Sequence, residues 1–219
     1  MQPAVGYSTD PTLHLTRPAW LIFYPVLDSL NSGSFIRRAI SLALKIGGGF
    51  MALTGLIGLA GLLKIAFGAS LPAAATLGFL LFTLVCLGAL VACLQIIWYR
   101  SESVRDLGDG TGFVVMPIVS ILFRMTGEIY ATLLISLGIG GCLAIWLGQV
   151  NPLDYAGGLT PSLLRGGSST GFMGGVSLAA FGCLGGFATL IAFYFLAELS
   201  IVLASIARDM RALAAKVGA

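Results

Sequence analysis

Four long stretches of the chain contain no charged residue, and polar or proline-containing sequence separates each from the next. They cover 46–63, 73–99, 129–148 and 171–197. About 20 apolar residues cross a bilayer core as a helix, and a segment exposed to lipid must satisfy its own backbone hydrogen bonds. The pattern therefore predicts an all-α integral membrane protein with four transmembrane helices.

Two shorter segments precede the first and third stretches and mix aromatic residues with proline. Residues 18–34 contain Trp20 and Pro25, and residues 113–127 contain Pro117. Both are too short to span a bilayer, and amphipathic rings collect at its interface. We expect an interfacial helix before each pair of spans. Residues 1–17 are polar and lack the basic start of a signal peptide, which predicts a cytoplasmic segment.

Small residues recur at short spacing along the predicted spans. Glycine on a membrane helix allows another backbone to approach closely, so these positions predict tight helix–helix packing, although membrane helices also tolerate glycine without such contacts. The predicted packing positions are Gly48, Ala52, Gly55, Gly58, Gly61, Gly140, Ala144, Gly182 and Gly186.

The two halves of the chain resemble each other. The sequence IGGG at 46–49 matches IGGC at 139–142, and VRDL at 104–107 matches ARDM at 207–210. The fold is therefore predicted as two parallel two-helix repeats, in which residues 18–110 and 111–219 are the two units. Chance similarity between glycine-rich membrane sequences is the alternative.

Lysine and arginine are distributed unevenly between the two sides of the predicted bundle. Ten of the 12 fall on one side, and only Lys64 and Arg165 fall on the other. Basic residues favour the cytoplasmic side, so both termini are predicted to be cytoplasmic. Aromatic and basic residues at this side are expected to anchor the helices in the interface; they are Trp20, Arg37, Arg38, Trp98, Arg100 and Arg208.

Two polar residues lie within or beside the uncharged stretches. Glu198 follows the fourth stretch, and Gln95 occupies the matching position in the first repeat. A carboxylate at membrane depth is costly and usually faces a bundle interior, a partner or water. Two interpretations remain open: Glu198 acts within the membrane, or it lies at the headgroup level on a helix that continues into the cytoplasm.

The composition argues against several classes of protein. The chain is 58% hydrophobic and 10% charged, and a net charge of +3 is too small and too dispersed to predict nucleic-acid binding. The four cysteines lie in apolar stretches without a CxxC pair, and His14 is the only histidine. No metal site, cofactor or catalytic cluster is therefore predicted, and we do not expect an enzyme.

Residues 196–213, LAELSIVLASIARDMRAL, resemble the C-terminal end of a bacterial two-span membrane domain family of unknown function. That family has a glutamate within an apolar run, followed by a polar helix end. Residues 93–110 resemble it more faintly, with Gln95 in place of the glutamate. The resemblance implies a small protein of the bacterial inner membrane and implies no activity.

Two functions fit these patterns. The first is a non-catalytic accessory or structural subunit that packs against a larger membrane protein complex and contacts the lipid bilayer. The second is an oligomeric channel or small transporter that uses Glu198 and Gln95, for which a homo-oligomer is expected because four spans enclose little volume.

Overall fold

The chain folds into long helices that follow one another along the sequence. In the computed structural model, residues 34–68, 71–107, 115–152 and 171–217 are described. They form α1 (Ser34–Gly68), α2 (Ala73–Arg105), α3 (Val115–Gly148) and α4 (Phe172–Val217). Each helix is long and apolar enough to cross a membrane, and each contains one of the predicted spans. For the described residues, the prediction of an all-helical protein with four helices able to span a membrane is confirmed.

The beginning of α3 differs from the sequence-based expectation. Residues 115–127 do not form a separate interfacial helix, because Val115–Gly148 is one continuous helix. Pro117 lies in its first turn, where a backbone N–H has no partner within the helix, so proline is tolerated there. The other expected interfacial segment, residues 18–34 with Trp20, and the polar segment 1–17 lie outside the described residues.

Each helix packs mainly on its neighbour in sequence. Within the described ranges, α3 packs on α4, α2 on α3 and α1 on α2, and no other pair of helices is packed to a comparable extent. The inner helices are consequently the buried ones: 39% of the α2 span and 44% of the α3 span are buried, against 6% for α1 and 11% for α4. The four helices form an open row with α1 and α4 at its edges.

The closest approach in the row joins the backbones of α3 and α4. A methyl group added to Gly182 would lie 2.6 Å from the Cα atom of Gly138 and 2.7 Å from the carbonyl oxygen of Leu134. Both neighbours are backbone atoms, so neither can move without moving its helix. Gly186 lies one turn further along and would place a methyl group 3.1 Å from the carbonyl oxygen of Ala131. Gly182 and Gly186 thus hold α4 directly against α3.

A different face of α3 packs against α2. A methyl group on Gly140 would lie 3.1 Å from Cδ2 of Phe82. A methyl group on Gly78 would lie 2.9 Å from the carbonyl oxygen of Ala144, which is itself buried. Small residues on two faces of α3 therefore allow it to accept a helix on each side.

The contact between α1 and α2 uses only part of the predicted small-residue stripe. Gly48 faces Ile97, and Gly55 faces Leu90. Ala52 is half-buried between these two levels. Gly58 and Gly61 are exposed, and a methyl group on either would meet no atom within 4 Å. The small-residue stripe therefore contacts α2 only as far along α1 as Gly55.

The two helix pairs are packed in different registers. In the sequence match between the halves, Gly48 corresponds to Gly141, and its neighbour Ile97 corresponds to Ser200. Gly141 instead faces Leu178, about six helical turns away from Ser200 along α4. The similarity between the halves is thus one of sequence, and it does not extend to how the helices of each pair meet.

The two ends of the row differ in chemistry. At one end the Trp146 ring stacks on Phe172 at 5.2 Å, and its indole N–H donates to the Phe172 carbonyl oxygen at 3.1 Å. Gln149 follows α3 at this end with φ of 54°, and its N–H donates to the Ile145 carbonyl oxygen. The opposite end carries most of the arginines of α1, α2 and α3; it is called the basic end below.

Candidate functional site

A glutamate on α3 joins three helices near the basic end. The Glu128 carboxylate accepts two hydrogen bonds from the Arg100 guanidinium of α2, one of them 3.1 Å from Nε to Oε2. The Tyr194 hydroxyl of α4 donates to Oε1 of the same carboxylate at 2.7 Å. Both carboxylate oxygens are therefore engaged, and this two-pronged pairing is the stronger form of an arginine–carboxylate contact.

A second arginine adjoins the cluster without pairing directly with the carboxylate. The Arg124 guanidinium lies 5.5 Å from the centre of the Tyr194 ring, a distance at which a cation is attracted to an aromatic face. Its Nε atom is buried and has no hydrogen-bond partner among the described residues. We name Arg100, Arg124, Glu128 and Tyr194 the glutamate cluster; it carries two positive charges and one negative charge.

The depth of the cluster follows from the helix rise. Glu128 is separated from the end of α3 at Gly148 by about 30 Å of helix, which equals the thickness of a bilayer's hydrocarbon core. With Gly148 at one boundary of that core, Glu128 reaches the other. The side chains of Arg100 and Glu128 are only 18% and 20% exposed, so their charges are held mostly away from solvent. Such a position explains why the two charges are paired.

A cavity of about 420 Å³ opens beside Glu128 on the membrane side of the cluster. Its wall is mostly apolar, with Ile96, Ala131, Ile135 and Leu190, and the hydroxyl-bearing residues Thr132 and Ser136 complete it. The Thr132 hydroxyl donates to the Glu128 carbonyl oxygen at 2.7 Å, so the α3 backbone already occupies it. The cavity can hold an apolar group more readily than a charged one.

The two predicted intramembrane polar residues are not part of this cluster. Gln95 on α2 and Glu198 on α4 are both exposed, and α2 and α4 do not form a major helix contact. Glu198 lies about 39 Å along α4 from Phe172, which is beyond the thickness of the hydrocarbon core. Both interpretations of Glu198 stay open, because the part of α4 that is apolar enough to span a membrane, Phe172–Ala207, includes Glu198.

The predicted interface anchors among the described side chains lie at the basic end. Arg37 is buried and donates to the carbonyl oxygen of Leu107, while Arg38 is exposed. Trp98 is exposed, and Lys45 lies 5.3 Å from the centre of its ring. Trp20 falls outside the described residues. Arg208 lies within α4, but its side chain is not among those described.

Sequence reasoning missed the most connected polar group in the described chain. Glu128 directly precedes the uncharged stretch 129–148, where a charged residue is expected at the end of a span. One feature of the sequence could have indicated an ion pair: Glu128 borders its span on the same side of the membrane as Arg100 and Arg124. Tyr194 lies inside an apolar stretch and gave no comparable signal. No group of three metal-ligating residues occurs in the described ranges.

Comparison with protein-family models, curated proteins and solved structures gave no match for this chain.

Proposed function

We propose that this protein is a non-catalytic integral membrane subunit that packs against a larger membrane protein complex. The observation that carries the proposal is the open row, in which α1 and α4 are each packed along one side only. A closed four-helix bundle would bring its first and last helices together. The two edges of the row leave room for helices from another chain.

The outer surface of α1 favours a protein neighbour over lipid alone. Gly58 and Gly61 are exposed with no atom near their missing side chains, and Gly88 of α2 is equally open. Because Gly55 faces Leu90 in an antiparallel pair, Gly58 and Gly88 lie at nearly the same depth. Open glycines at one level allow a third backbone to approach closely, as small residues do in membrane helix pairs.

The glutamate cluster supports the same function. Arg100 and Tyr194 already occupy both oxygens of Glu128, so the cluster is suited to hold α2, α3 and α4 together at the basic end. A rigid inner trio of helices would then present the edge surfaces in a fixed arrangement.

The test is native purification in mild detergent, followed by substitution of the open glycines. We expect wild-type protein to migrate with a larger complex and Gly58→Leu to release it, with the helical content unchanged. The matched control is Gly49→Leu, which is equally open but lies on the opposite side of α1. Migration as a small species before any substitution would refute the proposal.

A second candidate is an oligomeric channel or small transporter that uses Glu198 and Gln95. It is favoured by the exposure of both side chains on the outer surface, where another copy of the chain could pair with them. In proteoliposomes, Glu198→Gln should then alter flux while assembly is preserved. Glu102→Gln, an exposed carboxylate on α2, is the control. Equal flux through both variants and the wild type would remove this candidate.

We also propose the finer organisation predicted from the sequence. The protein lies in the inner membrane of a bacterium, with both termini in the cytoplasm. An interfacial helix precedes the first pair of spans. The two halves of the chain derive from one duplicated unit. The charge bias and the family-like segment 196–213 support this. Labelling of single cysteines from either side tests the orientation. If related sequences lack the similarity between their first and second halves, this would argue against duplication.

A further inference from the structure

The described part of the chain has a second cavity, which is polar and separate from the glutamate cluster. It has a volume of about 480 Å³ and lies at the basic end between α1 and the end of α2. Four cationic side chains line it, Arg37, Arg38, Lys45 and Arg105, against one carboxylate, Asp106. A concentration of positive charge around a cavity predicts an anionic ligand.

The cavity is built by regular features of the two helices. Arg37, Ser41 and Lys45 recur every fourth residue, so they share the face of α1 that looks toward α2. Arg37 is fixed by its hydrogen bond to the Leu107 carbonyl oxygen, and the Ser41 and Ser101 hydroxyls bond at 2.9 Å across the helix pair. These contacts join α1 to the end of α2 on the side where the cavity lies.

The position of the cavity indicates where the ligand comes from. Trp98, whose ring lies 5.3 Å from the Lys45 ammonium, is 61% exposed and about 38 Å along α2 from Ala73. That is the level at which tryptophan collects in a bilayer interface. Leu42 lines the same cavity and is 60% exposed, and Ile46 and Phe50 continue this exposed side of α1 one and two turns further into the membrane, which offers an acyl chain an apolar surface.

We propose that this cavity binds the phosphodiester headgroup of an anionic membrane lipid. Arg38, Lys45 and Arg105 neutralise the phosphate, and the acyl chains lie against Leu42 on the outer surface of α1. Basic pockets between transmembrane helices are sites where anionic headgroups bind. Asp106 limits the affinity by placing one negative charge beside the phosphate.

The test uses the full chain, delipidated in a non-ionic detergent. It is titrated with phosphatidylglycerol and, separately, with phosphatidylcholine of the same acyl chains. Retained lipid is measured by native mass spectrometry and stabilisation by thermal unfolding. We expect phosphatidylglycerol to bind at least about tenfold more tightly, and the preference to weaken at high salt. Equal binding of the two lipids would overturn the proposal.

Three variants connect the preference to this cavity. Arg38→Gln with Arg105→Gln should lower phosphatidylglycerol affinity by about tenfold, because two cations near the headgroup are lost. Lys64→Gln, at the opposite end, is the matched control and should leave the affinity unchanged. Asp106→Asn should raise it several-fold, a gain that a damaged fold cannot produce. Unchanged affinity in the double variant, or no gain for Asp106→Asn, would overturn the proposal.

A separate arm distinguishes a lipid headgroup from a free anion. Inorganic phosphate at the same concentration as the lipid should neither stabilise the protein nor compete with phosphatidylglycerol, because it lacks the acyl chains that contact Leu42. Equal stabilisation by phosphate would show a free-anion site and would overturn the lipid assignment.

Discussion

Replacement of Gly182 by alanine tests whether the backbone contact between α3 and α4 organises the inner helices. The added methyl group would lie 2.6 Å from the Cα atom of Gly138, whereas ordinary van der Waals contact begins near 3.4 Å. The two helices must therefore separate locally by about 0.8 Å, a gap that removes a quarter to a half of the attraction between facing atoms. Overpacking of this kind costs about 1–3 kcal/mol.

The matched control is Gly185→Ala, on the same helix and less than one turn away. A methyl group on Gly185 meets no atom within 4 Å, so this variant changes only the intrinsic helix preference. Stability is measured by circular dichroism during unfolding with sodium dodecyl sulfate in mixed micelles. We expect Gly182→Ala to be about 1–3 kcal/mol less stable than Gly185→Ala. Equal stability of the two variants would show that the contact is not tight, and the reasoning would fail.

A double variant provides an internal check on the same contact. A methyl group on Gly138 would lie 2.8 Å from the Cα atom of Gly182, so each single substitution separates the helices at the same point. Once separated, the helices should accept the second methyl group at a smaller cost. We expect the combined loss of stability to be less than the sum of the single losses. Strict additivity would indicate two independent sites of strain.

Three further predictions use the same unfolding measurement. Glu128→Ala should destabilise the protein by about 3 kcal/mol, the lower end for a broken buried ion pair, because it leaves the Arg100 charge, only 18% exposed, without its partner. Glu198→Ala should have no measurable effect, and the reverse order would contradict the assignment. Ser101→Ala should cost about 1 kcal/mol by removing the hydroxyl partner of buried Ser41, and an unchanged stability would show that the pair is dispensable. Gln149→Gly should stabilise by about 0.5–1 kcal/mol, since glycine adopts the observed φ of 54° without a side-chain clash; a loss of stability would exclude that reason.

The sequence was sufficient to locate the helices, because an uncharged stretch long enough to cross a bilayer has few alternative structures. It misplaced the start of α3, since Pro117 looks like a break unless it is known to occupy a first turn. Nor did the sequence indicate the partners of Glu128, which lies inside the long helix α3 at the edge of its uncharged stretch. A charged residue can lie inside a long helix when partners from other helices neutralise it, and those partners are far away in the sequence.

For the helix-packing residues too, the sequence predicts some features of the structure and leaves others undetermined. The spacing of Gly140 and Ala144 predicts a face with small residues, and in the structure both residues lie against α2. The closest contact to α4 is made instead by Gly138, which belongs to another face of the same helix and was not singled out. Spacing defines which residues share a face; the partner of each face depends on how the helices are arranged in three dimensions.

The two-sided packing of α3 has a consequence for synthesis. The ribosome delivers the helices in order, so α2 can cover the Gly140 side of α3 while the Gly138 side is still bare. Until Phe172–Val217 has emerged, Glu128 also lacks the phenol of Tyr194. We therefore expect a nascent chain that ends before α4 to expose the Gly138 surface of α3 and a Glu128 carboxylate that lacks one hydrogen bond. By these two features a membrane quality-control protease could recognise the chain as incomplete.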